Sequence, residues 1–187
     1  MKSGVRALGV AESYRGDERS TLSGAVVRAS RVVDGFGFGD CAVGGTDATA
    51  SVAALFDELG RADVRYVLVA GLALAWYNVV DLHAIADATD RPVISVTFEA
   101  SEGLEPSLRE EFAGDALAER LATYRAQPPR RPVDVGDERV FVRAAGCDDE
   151  TAAEVVRAFT PEGGRPEPLR VARLAARGAD RWRRPEG

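Results

Sequence analysis

The sequence predicts a mixed β-sheet with helices on both faces, and three observations carry that reading. The chain opens on three apolar, strand-like segments joined by short connections. From Thr46 onward the hydrophobic spacing becomes helical. Buried-type strands and helices then alternate, the pattern of a sheet covered by helices.

Arg6 to Ala11 (RALGVA) reads as a buried strand ending at Glu12, and Tyr14 to Thr21 reads as a polar loop. Leu22 to Ala29 and Arg31 to Val43 read as two more strands, antiparallel neighbours because their connections are short. Val52, Leu55, Phe56 and Leu59 fall at i, i+3, i+4 and i+7 on one face of a helix. Thr46 or Asp47 can cap that helix, and Gly60 ends it. Val64 to Ala70 (VRYVLVA) is a continuous apolar run of the kind buried on both faces of a sheet. A helix fits Asn78 to Thr89, with Pro92 beyond its end, and Val93 to Phe98 is another buried strand. Leu108, Phe112, Leu117, Leu121 and Tyr124 mark one longer helix, after which Pro128, Pro129 and Pro132 break the chain. Arg139 to Ala144 is a short strand. Thr151 to Phe159 and Leu169 to Arg177 are helical, the last with Pro168 in its first turn. Three strands followed by alternation are the element order of the ribonuclease H-like architecture, and 187 residues suit one domain covering the whole chain. The Arg-rich stretch from Arg173 to Arg184 reads as a solvated end, flexible from about residue 178, or as a contact for an anionic partner.

Composition narrows the function classes. There are 30 acids against 24 bases, for a net charge of −6, so no general basic footprint for nucleic acid is present. The near absence of lysine points to a GC-rich genome and, with the acidic balance, also fits a halophile. No apolar run is long enough to span a bilayer. Cys41 and Cys147 have no metal-ligand spacing and suit a reducing, cytoplasmic compartment. A single histidine, His83, excludes a multi-histidine metal site. Nothing in the sequence fixes the oligomeric state.

The densest stretch is RVVDGFGFGDCAVGGTDAT, Arg31 to Thr49, with five glycines and three aspartates ahead of a helix. It matches no phosphate-loop spacing, so its glycines read as turns or places of close backbone approach. In the architecture named above, the first and fourth strands lie side by side, and carboxylates at their ends can share divalent metal. Glu12, where the first strand ends, and Asp47, where the first helix begins, are the candidates to hold Mg²⁺, which needs only a few oxygen ligands. Asp34 or Asp81 would complete the set. The plainer readings are that Glu12 is solvated, Asp47 is a cap and Asp34, before Gly35, is a turn residue. Trp76 and Tyr77 can stack on a base, or pack at the rim of the core. Asn78 would line the same side as a cap or a contact, and Arg28 would meet a phosphate.

The blocks GVAES, GAVVR, VDGFGFG, VGGTDAT, VLVAGLALAWYNVVDL, RPVISVTFE and PEPLRVARLAAR follow one another through the chain. Together they resemble an uncharacterised, mainly archaeal family, domain of unknown function family 99. That family is distantly similar to endonuclease V, whose fold is ribonuclease H-like. The resemblance implies an acid at the end of strand one, where Glu12 stands, and an acid at the start of helix one, where Asp47 stands. It implies an aspartate before a glycine at the end of strand four, where this chain has Ala70 before Gly71. It also implies a lysine at the end of strand five, where Phe98 stands, and a Pro-Tyr-Ile-Pro-Gly-like turn that AVGGT replaces. The expectation is a cytoplasmic, endonuclease V-like protein whose residual acid cluster contacts a metal and a nucleic acid or nucleotide. A non-catalytic binding or assembly module on the same fold is the alternative.

Overall fold

A computed structural model describes residues 1–16 and 18–183. The order of elements is β1 (Arg6–Ser13), β2 (Arg19–Arg28), β3 (Val33–Ala42), α1 (Ala48–Leu59), β4 (Val64–Ala70), β5 (Ala73–Leu74), β6 (Asn78–Val79), α2 (Leu82–Thr89), β7 (Val93–Thr97), α3 (Glu105–Glu111), α4 (Gly114–Arg125), β8 (Arg131–Val135), β9 (Glu138–Ala145), α5 (Asp149–Ala158) and α6 (Glu167–Arg183). Seven strands form one sheet in the order β3-β2-β1-β4-β7-β9-β8, and β5 and β6 pair separately. The first three strands are antiparallel neighbours, while β1, β4 and β7 run parallel. The mixed sheet expected from the element order is therefore the sheet observed.

The alternation of apolar residues shows why the central strands read as unbroken runs. Leu8, Val10, Val67, Val69 and Val93 pack with Val52 and Leu55 of α1 and Ile85 of α2 on one face. Ala7, Leu68, Ile94 and Val96 pack with Val155, Val156 and Phe159 around α5 on the other. A strand covered on both faces has no polar side to show in sequence. Helix α6 crosses the second face over β1 and β2, where Ala172 meets Ala11, Ala25 and Val27. It reaches that close because β1 carries Gly9: a Cβ there would lie 2.2 Å from the carbonyl of Pro168.

Four expectations need correction. Residues 128–132 do not simply break the chain, because Pro132 lies in β8, the sheet edge, where a missing N–H costs no ladder bond. The long helix is two helices, parted where Phe112 and Ala113 are extended. Helix α2 begins at Leu82, since Asn78 and Val79 belong to the small hairpin. The polar stretch before β2 is shorter than expected, because Ser20 and Thr21 are buried strand residues. The Arg-rich stretch is helical through Arg183, and its last expected residue, Arg184, lies outside the described residues. No helix among the described residues is long and apolar enough to cross a membrane.

Candidate functional site

The C-terminal edge of the parallel strands is where α/β sheets gather ligands, because the strands stop there and helices begin. Glu12 sits at that edge of β1. Its carboxylate accepts a hydrogen bond of 2.6 Å from Ser20 Oγ on β2. Glu12 pairs with Leu22, which packs beneath α1, so its side chain leaves the sheet on the α1 face.

Asp47 precedes α1 but does not cap it: its backbone is helix-like and its side chain makes no capping bond. The carboxylate turns back to β3 instead. It accepts from the Ala42 N–H at 2.9 Å and from Asn78 Nδ2 at 2.7 Å, and Arg19 Nη2 stands 3.7 Å away. The first N–H of the helix, at Ala48, is served by Asn78 Oδ1 at 3.0 Å. Asn78 is thus a fully buried clamp that aims Asp47, and it does not line an open face. Glycine makes the clamp fit: a Cβ at Gly45 would lie 3.2 Å from both Asn78 Nδ2 and Asp47 Oδ1. Both carboxylates bear on the buried thiol of Cys41. Burial first, then the charges of Asp47 and Glu12, push that thiol up to about 12.

The remaining expected residues divide. Asp81 caps α2, accepting from the N–H groups of His83 and Ala84, with Gln127 Nε2 at 3.2 Å. Asp34 lies at the other end of the sheet, with Arg28 Nε at 2.7 Å and Arg6 Nε at 2.6 Å. Those guanidiniums, Arg28 foremost, pull its carboxyl down to about 2. Arg6 pairs with Arg28 six residues before Glu12, which sets the two ends roughly 20 Å apart at the rise of a strand. Asp34 therefore cannot join Glu12, and Arg28 cannot meet a phosphate there; the strand register decides this.

Trp76 and Tyr77 form the turn of the β5–β6 hairpin. With Ala75 they hold φ of 43°, 56° and 59°, a run of left-handed residues that costs about 1–2 kcal/mol each. The turn is held from outside. Gly44 N–H donates to the Ala75 carbonyl at 2.7 Å, and Gly44 leaves room for the Trp76 ring. Trp76 and Tyr77 pack on Phe112, and Trp76 stays 41 % exposed. The buried guanidinium of Arg120 lies 4.1 Å above Phe112 and donates to the carbonyls of Gly44, Gly45 and Tyr77.

Sequence reasoning missed Arg120 and also Asp180. Asp180 is fully buried on α6, with Thr21 Oγ1 at 3.3 Å, Ser13 Oγ at 3.4 Å and Arg15 Nε at 3.5 Å. Ser13 and Thr21 face away from α1, so Asp180 approaches the end of β1 from the face opposite Glu12. Its place on the Ala172, Ala176, Asp180 stripe, one residue in four, was the available signal. Among the described residues, no three His, Cys, Asp or Glu side chains are grouped to hold a metal ion.

Beside this edge, at the ends of β4 and β7, lies a cavity of about 320 Å³ whose lining includes Ala70, Thr97, Phe98, one acid, Glu99, and four arginines, Arg130, Arg143, Arg165 and Arg173. Ala70 and Phe98, the two positions where an acid and a lysine were expected, are thus walls of an arginine-rich cleft. The Arg165 guanidinium lies 4.0 Å over the Phe98 ring.

Residues 3–179 match the family model described as endonuclease dU. A UPF0215 protein of Thermococcus kodakarensis is 34% identical over 161 residues, covering 85% of this chain and 80% of that protein. One of Pyrobaculum aerophilum is 32% identical over 171 residues, covering 90% and 91%. The relation to an archaeal family read from the sequence blocks is present; the names it carries are endonuclease dU and UPF0215, and the label domain of unknown function family 99 is not among them. Among solved structures, a protein of unknown function from Archaeoglobus fulgidus superposes with a TM-score of 0.83 at 23% identity, covering 94% of this chain and 98% of its own. Human ENDOV superposes at 0.62 and 16% identity, covering 96% and 85%. Ciona intestinalis endonuclease V, solved with a DNA containing an inosine, superposes at 0.61 and 15% identity, covering 94% and 85%. The fold is that of endonuclease V.

Proposed function

Because this chain belongs to the endonuclease dU family, we propose that it binds nucleic acid and cleaves it beside a deaminated base, deoxyuridine foremost. The observation that carries this reading is that Glu12 ends β1 and Asp47, held by the Ala42 N–H and Asn78, stands before α1, next to an arginine-lined cleft. The inosine-containing DNA bound by the Ciona neighbour supports a nucleic-acid partner on this fold.

Glu12 and Asp47 suit one hydrated Mg²⁺, an ion that keeps several waters and needs only one or two carboxylates. They do not suit a two-metal pair, since Ala70 supplies no third ligand between them. Such an ion, when bound, would polarise a phosphoryl oxygen and acidify a bound water. The protein's own part is orientation. Asn78 and the Ala42 N–H fix one carboxylate, and Ser20 fixes the other. The half-exposed Trp76 offers a face to a base displaced from its stack.

The test is cleavage of single- and double-stranded oligonucleotides carrying one deoxyuridine or inosine, with Mg²⁺ and in native salt. Strand scission is expected, and Glu12→Gln abolishes it while leaving the melting temperature unchanged. Full activity in Glu12→Gln, or a protein that binds neither Mg²⁺ nor nucleic acid, overturns the reading.

A further inference from the structure

Several of the arginines that no carboxylate pairs lie together beside one cleft of this acidic chain. Among the described residues, Arg130, Arg143, Arg165, Arg173 and Arg177 have no carboxylate within ion-pair distance, whereas most arginines elsewhere do. Four of the five line the 320 Å³ cleft at the ends of β4 and β7. A second hollow, of about 310 Å³, continues along α6 between Arg165, Arg173 and Arg177, so two of the arginines serve both. The deeper ones are aimed. Arg130 lies 4.0 Å over Phe141 and is fixed by Ser101 O at 3.0 Å and Thr97 Oγ1 at 3.1 Å. Arg143 lies over Tyr124 and donates to its hydroxyl at 3.1 Å. Grouping them is costly: burial and then the charge of Arg143 hold Arg130 below its ordinary value. One carboxylate, Glu99, lines the cleft and acts on Arg165, but a single acid does not balance four guanidiniums, and the excess suits an external anion.

We propose that these two hollows are one track for the sugar–phosphate backbone of a single nucleic-acid strand, running along α6 into the cleft and up to the Glu12 edge. The track deepens, and rests on, the nucleic-acid reading given above. The cleft has the volume of a nucleotide-sized ligand and no room for a duplex. β4 lies directly beside β1, so a strand seated in the cleft lies one strand spacing, about 4.8 Å, from the line of Glu12. Arg173 and Arg177, one turn apart on α6, are separated by about 6 Å along the axis, a step that an extended strand matches phosphate by phosphate. Guanidinium is the cation that grips phosphate through two parallel N–H donors, and this track contains only guanidinium. Contacts to the backbone position a strand without reading its bases, so the arginines of the track carry affinity with little sequence preference.

The experiment is anisotropy of a fluorescent single-stranded oligonucleotide in EDTA, where no metal-dependent cleavage occurs, across a salt series. With three to five phosphate contacts the slope of log K against log salt should fall at roughly −2 to −3.5, since each contact on a single strand contributes about 0.7. Arg173→Gln/Arg177→Gln should weaken binding at least tenfold in low salt and flatten the slope by about 1.4. Arg28→Gln, at the far end of the sheet, should change neither. An unchanged slope in the double variant, an equal loss in Arg28→Gln, or duplex binding as tight and as dependent on the same arginines overturns the track. The outcome is separable from the cleavage reading. Metal-free binding that follows the arginines supports the track even where no scission is seen. Scission lost in Glu12→Gln but binding indifferent to the arginines overturns the track alone.

Discussion

Gly9 is the contact on which α6 rests, and Gly9→Ala is the sharpest test of the packing. Its backbone is ordinary extended strand, so alanine meets no conformational penalty there. The added Cβ would lie 2.2 Å from both the carbonyl carbon and oxygen of Pro168 and 2.7 Å from the Leu169 nitrogen. Ordinary contact begins near 3.4 Å, so α6 must retreat by more than an ångström. The obstacle is backbone at the start of a helix, which cannot swing aside as a side chain would. Overpacking of a well-filled site costs about 1–3 kcal/mol, and the upper end applies here. At about 2–4 °C per kcal/mol for a chain of this size, the melting temperature should fall by roughly 6–12 °C. Gly39→Ala on β3 is the control, because a Cβ there meets nothing within 4 Å. It should be neutral or stabilise by about 0.5–1 kcal/mol, the usual gain when alanine replaces a strand glycine. In calorimetric melts Gly9→Ala should fall and Gly39→Ala should not. A Gly9→Ala melt within 2 °C of wild type would refute the claim that α6 is held by direct backbone contact with β1, and with it the account of how Asp180 reaches Ser13.

Two further predictions follow from the buried network and the far sheet end. Asn78→Ala strips the half-buried Asp47 of its 2.7 Å donor and the buried Ala48 N–H of its acceptor, and should cost about 2–3 kcal/mol. Urea unfolding should show a lower midpoint at unchanged slope, and a loss under about 0.5 kcal/mol would contradict the clamp. Asp34 has a folded pKa of about 2 against an ordinary 3.8, so its ion pairs contribute fully above about pH 4 and are lost as pH falls toward 2. Asp34→Asn should be less stable than wild type at neutral pH and should flatten the stability curve between those values. Parallel curves for the two proteins would count against the Arg6 and Arg28 pairs.

Much of the fold was legible because it depends on local period. The continuous run at Val64–Ala70 and the spacing of Val52, Leu55 and Leu59 identify a buried strand and an amphipathic helix wherever they occur. Strand β8 was not legible, because Pro132 signals a break and only its edge position makes it harmless. The candidate site was legible in part. The places of Glu12 at a strand end and Asp47 before a helix start could be read from the sequence. Asp34, equally prominent beside its glycine, pairs with Arg6 and Arg28 at the wrong end of the sheet.

What the sequence determined by itself was most of the main elements, their order and the mixed sheet they compel, since periodicity and short connections act over a few residues. What only tertiary structure decided was which charges meet. Asp47 is turned from a cap into an aimed carboxylate by Asn78, thirty-one residues away, and Arg120 secures the loop beside it from farther still. Asp180 arrives from the last helix, and arginines from β9, α6 and two loops converge on a cleft inside an acidic protein. Side chains distant in sequence meet only where strand register and helix docking bring them, and no local pattern encodes that distance.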